Sequence, residues 1–342
     1  MKGTPPLVSD RPQALFALSP QYLPELFPPK SLGRLQQLVQ VDDGLVAEQF
    51  DAPAIRAALS SAEYLITGWG CPPITAAVLD AAPRLRAILH TAGSVKAHVT
   101  AECWERGLAV TSAASANAVP VAEYTLATIL LAGKDVFRLS NRYRAARHFT
   151  LAEVQPGVGN YGRTVGVIGA SRIGRRVIEL LRPFDLDVYL FDPYVDAVTA
   201  AELGVHLVDL DTLLRTCDIV SVHAPANPQT YRLLGASQLA MLRDGATLIN
   251  TARGELVDTD ALIKHLETGR LYAVLDVTDP EPLPGHSALW ELPNVFLTPH
   301  IAGSHGNELA RMGDCIIDEL ERILGGRPFA HGIVASDLDR VA

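Results

Sequence analysis

The chain is poor in the residues that most readily betray a function. Only 4 of its 342 residues are cysteine (Cys71, Cys103, Cys217 and Cys315), and none are spaced as C-x-x-C. That spacing excludes a zinc ribbon, a dithiol redox motif or a disulfide framework, and leaves isolated thiols suited to a reducing compartment. No H-x-x-x-H or mixed Cys/His cluster occurs, so no metal is expected. Lysine and arginine number 29 against 38 acids, a net charge of −9, and no basic arm stands out. A nucleic-acid surface rewards clustered cations, so nucleic acid is not expected as a partner. After Lys2 come Pro5, Pro6, Asp10 and Arg11 before any apolar run, which is not the pattern of a signal peptide. The most apolar helical stretch, Val119 to Ala132, carries Glu123 and is read as too short to span a bilayer. These absences together predict a soluble, cytoplasmic protein without a membrane partner.

What remains is ordinary globular composition, 48% hydrophobic and 20% charged, over a length that suits about two domains. Short apolar runs at Ala14 to Leu18, Tyr64 to Thr67, Leu85 to Leu89 and Leu108 to Val110 read as strands. Between them Asp51 to Ala62, Pro73 to Ala82 and Val95 to Arg106 show helical spacing. Strands alternating with helices predict a parallel sheet covered on both faces. Asn117 to Ala146 then reads as one long helical stretch, interrupted only by Gly133 and able to pass from one domain to the next. Thr150 to Gly162, with Pro156 and three glycines, reads as a wrapping loop. Further strands are expected at Val205 to Val208, Ile219 to His223, Thr247 to Asn250, Ala273 to Val277 and Val295 to Leu297. The last helix is expected from about His305 to Leu324.

The most informative stretch is Thr164 to Asp192. An apolar run (Val165 to Ile168), a glycine turn, a helical pattern and a second apolar run (Val188 to Phe191) follow one another and end on an acid. This is a βαβ unit with a dinucleotide fingerprint. Gly169 permits the sharp turn, Gly174 lets helix and strand approach, and helix-start amides meet a pyrophosphate. Asp192, eighteen residues after Gly174, suits the ribose hydroxyls and repels a 2′-phosphate, which favours NAD over NADP. The middle glycine of G-x-G-x-x-G is replaced by Ser171, whose side chain crowds the pyrophosphate slightly while its hydroxyl can donate to it.

Downstream, unusual polar residues follow three strands: Asn250-Thr251-Ala252-Arg253-Gly254, Asp276 to Pro282, and Thr298-Pro299-His300-Ile301-Ala302-Gly303. Ligands of doubly wound sheets bind beyond such strand ends. With VGVIGASRIG, FDPY, INTARGELVD, LDVTDPEPLP and NVFLTPHIAGS, the chain resembles the D-isomer-specific 2-hydroxyacid dehydrogenase family over roughly residues 60 to 325. The resemblance implies an α/β protein. Its Rossmann NAD domain, a doubly wound parallel sheet at residues 117–303, is inserted into a smaller flavodoxin-like α/β substrate domain formed by residues 1–116 and 304–342.

The same resemblance implies a catalytic set of Arg253, Glu281 and His300. A guanidinium clamps a substrate carboxylate and polarises the adjacent carbonyl. Histidine exchanges protons near neutral pH, and a glutamate beside it favours the imidazolium and orients the ring. NAD contacts are implied for Gly169, Ser171, Arg172, Ile173, Gly174, Asp192, His223, Ala224, Pro225, Thr251, Arg253, Asp276 and His300, with Asp276 at the nicotinamide carboxamide. Amides of Ala92, Gly93 and Ser94 are implied for the substrate carboxylate, although HTAGSVKAHVT lacks the family's common Asp-Asn pair. His98, His148, His206, His265, His286, His305 and His331 are read as structural or solvated.

The implied activity is NAD(H)-dependent hydride exchange at C2 of a small D-2-hydroxy acid by a homodimer, with the long helix near Asn117 to Ala146 at the interface. Two alternatives share the scaffold. One is a formate- or phosphite-type dehydrogenase, disfavoured for formate because those enzymes pair the histidine with glutamine. The other is an NAD-sensing regulatory protein.

Overall fold

The computed structural model describes residues 11–154 and 157–338. Lys2, Pro5, Pro6, Asp10 and Pro156 lie outside the described residues. The chain divides into two compact units, one of residues 1–117 with 304–342 and one of residues 118–303.

In the first unit β1 (Ala14–Ala17), β2 (Tyr64–Thr67), β3 (Ala87–His90) and β4 (Ala109–Ser112) lie side by side in that order, all parallel. β2 and β3 are buried along their whole length, which is why they read as continuous apolar runs rather than alternating ones. Gln13 and Phe16 each make a parallel bridge to Gln40 and Val46, so a rudimentary strand flanks β1 on its outer side. Counting it, the order becomes 2-1-3-4-5, the flavodoxin-like arrangement. Gly332–Ile333 adds an antiparallel edge to β4, so the sheet is mixed rather than wholly parallel as expected. The buried carboxylate of Glu319 secures that edge by accepting from the amides of Ala330 and His331 and from the Thr111 hydroxyl.

Several helical expectations need correction here. Pro29–Leu38 forms a helix that is not among the expected elements. The helix expected from Pro73 starts at Ala76, because Ile74 pairs with Val99 and Thr75 is still extended. That pairing also confines the helix expected over Val95 to Arg106 to Ala101–Glu105. The final helix, Leu309–Leu324, begins later than His305 after a 3-10 turn over Gly306–Glu308. It buries Leu309, Met312, Ile316, Ile317 and Leu320 on one stripe, each contributing on the order of 2 kcal/mol. Gly313 is required at its crossing with Leu23–Leu26, since a Cβ there would lie 1.9 Å from the Leu26 carbonyl oxygen.

The second unit is a seven-stranded parallel sheet. β5 (Arg163–Ile168), β6 (Leu186–Phe191) and β7 (His206–Leu207) run to one side. β8 (Ile219–Val222), β9 (Thr247–Asn250), β10 (Tyr272–Leu275) and β11 (Val295–Leu297) run to the other. β5 sits beside both β6 and β8, so the order within the unit is 3-2-1-4-5-6-7 and the topological switch lies between β5 and β8.

The long helical stretch is two helices, Ala114–Gly133 and Val136–Ala146, broken at Asp135 with φ 54°. The first is 20 residues long and apolar enough to cross a membrane by length and composition, which corrects the expectation that it is too short. Its Ala122, Ile129 and Ala132 instead pack with Val165, Val177, Ile219 and Ile249 in the core of the second unit.

Candidate active site

The turn after β5 follows from its glycines. Gly169 adopts φ 96°, and a Cβ there would lie 2.6 Å from the Ala224 nitrogen. At Gly174 a Cβ would lie 2.0 Å from the Gly169 carbonyl oxygen, so the helix Arg172–Leu181 can approach the turn only through glycine. Ser171 is the N-cap of this helix, its hydroxyl accepting from the Gly174 amide at 3.2 Å. The serine that crowds a pyrophosphate in sequence terms thus has a structural task of about 1 kcal/mol.

The amides of Ser171, Arg172 and Ile173 have no protein acceptor among the described residues. Unspent amides at a helix N-terminus suit an anion, and the glycine cradle admits backbone approach, so the residues present fit a dinucleotide pyrophosphate. Asp192 is held in place: one carboxylate oxygen accepts from the Ala170 amide at 2.7 Å, the other from the Tyr194 amide at 2.8 Å. His223, at the end of β8, is buried, bonds through Nε2 to the Ser221 hydroxyl at 2.8 Å, and leaves Nδ1 without a partner among the described residues. Burial pushes its pKa down to about 3, so the ring is neutral. Ala224 is buried and Pro225 half-buried beside this turn.

Beyond β9, Asn250 latches the next loop by donating to the Arg253 carbonyl (2.8 Å) and accepting from the Ala252 amide (3.0 Å). Thr251 is buried against Thr125, hydroxyl to hydroxyl at 3.0 Å. Gly254 presses this loop on the next one, since a Cβ there would lie 2.0 Å from the Thr278 carbonyl. Arg253 therefore sits on a loop in backbone contact with the segment that carries Glu281.

Asp276, almost wholly buried at the end of β10, organises the last loop. It accepts from the Thr298 hydroxyl (2.6 Å) and the amides of Ile301 (2.8 Å) and Ala302 (2.9 Å). Tyr124, from the long helix, meets the same Thr298 hydroxyl at 2.7 Å. Between those anchors His300 is held at φ 57°, its amide shared between the carbonyls of Asp276 and Thr298. The His300 Nδ1 lies 2.7 Å from a Glu281 carboxylate oxygen, with both side chains about half exposed. They line a pocket of about 480 Å³ together with Leu283, Trp290, Leu297 and Pro299.

In the first unit the loop after β3 carries Ala92, Gly93 and Ser94. The amides of Ala92, Gly93, Ser94 and Val95 find no protein acceptor among the described residues, and the side of Gly93 that would bear a Cβ faces open space. The structure thus brings Arg253, Asp276, Glu281 and His300 to adjoining loops of the second unit, and places Ala92 to Ser94 in the first. The sequence assigns no role to Tyr124 or Thr125, and singles out Asn250 and Thr298 only as members of the polar stretches after β9 and β11. Asn250 carried a signal, since asparagine at a strand end favours bonding its own backbone two residues on. Tyr124 carried none, its partner being 174 residues distant.

A glycine-cradled helix start at the switch of a 3-2-1-4-5-6-7 sheet defines a Rossmann dinucleotide-binding domain. Residues 126–302 match the model of the D-isomer specific 2-hydroxyacid dehydrogenase NAD binding domain. A glyoxylate reductase from Korarchaeum cryptofilum is 33% identical over 72% of this chain and 76% of its own length. A D-3-phosphoglycerate dehydrogenase from Mycobacterium leprae is 33% identical over 81% of this chain and 52% of its own. A solved structure from Thermus thermophilus superposes with a TM-score of 0.73 at 31% identity, covering 94% of this chain and all of that one. The chain belongs to the D-isomer specific 2-hydroxyacid dehydrogenase family, and NAD is the cofactor of its matched domain. It spans about half the length of the D-3-phosphoglycerate dehydrogenases it matches.

Proposed function

We propose that the chain is a cytoplasmic NAD(H)-dependent 2-oxo acid reductase, reversible as a D-2-hydroxyacid dehydrogenase, acting on a small substrate. The Glu281–His300 pair at 2.7 Å, beyond the ends of β10 and β11, carries this reading. Glu281 fixes Nδ1, which makes Nε2 the ring atom that exchanges a proton with the C2 oxygen of the substrate. Arg253 clamps the carboxylate and polarises the C2 carbonyl, and the partnerless amides of Ala92, Gly93 and Ser94 receive the carboxylate. Bound NADH supplies the hydride. The amides of Ser171, Arg172 and Ile173 hold its pyrophosphate, and Gly169, Gly174, His223, Ala224, Pro225 and Thr251 shape its bed. Asp192 takes the ribose hydroxyls, and the buried Asp276 sets the nicotinamide side of the loop.

Glyoxylate, hydroxypyruvate, pyruvate and phenylpyruvate, each mixed with NADH and then NADPH, test the reading. At least one acid is expected to oxidise NADH faster than NADPH by about tenfold or more, and Asp192→Ala is expected to shrink that ratio. The carboxylate that repels a 2′-phosphate is lost in this variant. Absence of turnover with every 2-oxo acid would falsify the proposal.

We also propose a homodimer formed through the second unit. Tyr143, Phe149, Leu151 and Tyr161 are all more than half exposed within a short span, a pattern that favours burial against a second copy. Ile129, on the long helix expected at the interface, is buried within its own unit. Light scattering is expected to give twice the 36.7 kDa chain mass; a single 36.7 kDa species would refute the dimer.

A further inference from the structure

We infer that His98, Thr67 and His90 form a directed hydrogen-bond chain ending on the Ser94 carbonyl, and that these three are positioning residues for the amides that receive the substrate carboxylate. The inference rests on the catalytic reading above and concerns how the first unit prepares its half of that chemistry.

All three side chains are buried. The Thr67 hydroxyl lies 3.0 Å from His90 Nδ1 and 3.2 Å from His98 Nε2, and the two rings are 4.3 Å apart at their centroids. With Nδ1 turned to Thr67, His90 has its other nitrogen for the bond to the Ser94 backbone carbonyl. A neutral imidazole has one donor and one acceptor. Giving Nε2–H to Ser94 makes Nδ1 the acceptor, so the Thr67 hydroxyl donates to it. That hydroxyl then accepts from His98 Nε2–H, and every proton in the chain is assigned. Burial holds the His98 pKa at about 4, and burial with the neighbouring ring holds His90 well below its usual value. The neutral tautomers therefore persist through the neutral range.

The carbonyl and amide of a peptide point in opposite directions. Drawing the Ser94 oxygen toward His90 turns the Val95 amide the other way, and that amide, like those of Ala92, Gly93 and Ser94, has no protein acceptor among the described residues. Thr67 grips the near end of the same loop, its carbonyl accepting from both the amide (2.7 Å) and the hydroxyl (2.8 Å) of Thr91. One residue thus fixes the start of the loop through its backbone and, through the ring of His90, its end. Amides so held are aimed before a carboxylate arrives, and their orientation need not be fixed at the moment of binding.

Thr67→Val keeps the shape and removes the hydroxyl. Its KM for the 2-oxo acid is expected to rise about tenfold, the effect of one or two neutral hydrogen bonds. kcat is expected to stay within about twofold and NADH affinity to remain unchanged, since the chain ends on substrate-side amides. Thr67→Ser restores the KM. Long-range ¹⁵N–¹H spectra of the full chain at about neutral pH are expected to show His90 and His98 as neutral Nε2–H tautomers. If Thr67→Val does not fold, His98→Leu gives the same split in smaller degree. An unchanged KM, equal losses in kcat and NADH binding, or an Nδ1–H tautomer at His90 overturns the assignment alone. A wild-type chain that reduces no 2-oxo acid overturns the catalytic reading and this assignment with it.

Discussion

Replacing His300 by alanine is expected to lower kcat for 2-oxo acid reduction by about 10²–10⁴-fold while leaving NADH binding nearly intact, the size of effect that a positioned general acid supplies. The expectation follows from how rigidly the ring is presented. A histidine at φ 57° occupies a sparsely populated backbone region and stays there because its surroundings over-determine it. Its amide is shared by two carbonyls, the residues on its C-terminal side are pinned by their amides to buried Asp276, and Glu281 takes its Nδ1. Alanine is poorly suited to that backbone, so His300→Asn is the stricter variant, since asparagine tolerates the left-handed region. Both variants are expected to lose turnover, and the asparagine variant is expected to keep the wild-type melting temperature. More than about a tenth of wild-type turnover in His300→Asn would remove the imidazole from the chemistry. Glu281→Gln keeps a hydrogen bond to the ring without the negative charge and is expected to fall between wild type and His300→Asn.

The turn of the second unit was legible because its causes are local. Gly169 and Gly174 announce a close approach of strand and helix, and the structure places backbone atoms where their Cβ atoms would be. Tyr64 to Thr67 and Thr247 to Asn250 are bounded correctly because short, apolar, β-branched or aromatic runs buried in a parallel sheet leave few other readings, and the half-exposed edge run Val295 to Leu297 has the same bounds as expected. The failures have long-range causes. Val95 to Thr100 has helical spacing, yet it forms a single turn closed by Val99 N–H to the Val95 carbonyl before the bridge from Ile74 to Val99 ends it, and tertiary pairing outweighs propensity. The outermost strand beside β1 amounts to isolated bridges at Gln40 and Val46, too sparse for periodicity to register. Asp276 was recognised at a strand end, but its three donors lie 22 to 26 residues onward. The role of Thr67 was invisible for the same reason: its side-chain partners are 23 and 31 residues away.

Acidification is expected to destabilise the protein well before its carboxylates are neutralised. Three histidines are responsible, His90 and His98 in the first unit and His223 in the second, all buried with no more than 3% exposure. Burial lowers each pKa, to about 4 for His98 and about 3 for His223, with His90 also well below 6.5. The unfolded chain, with ordinary histidines near 6.5, therefore takes up protons that the folded chain refuses. Stability is full above about pH 6.5 and falls as the pH drops from there toward the folded values. Each group contributes up to about 1.4 kcal/mol per pH unit once the unfolded histidine is charged. At about pH 5 the first unit, with two such groups, gives up on the order of 3–4 kcal/mol against a total stability of about 5–15 kcal/mol. Asp196 and Asp209 are held below the usual carboxylate range by the Thr199 and Thr212 amides, so they titrate lower and leave this window to the histidines. The melting temperature is expected to fall by about 5–15 °C between about pH 7.5 and pH 5. Replacing His98 with glutamine, whose amide can still donate to Thr67, is expected to flatten the slope by up to one proton. A melting temperature that does not move between those pH values would mean that the rings are protonated in the folded state, and that the hydrogen-bond chain through Thr67 does not have the polarity assigned to it.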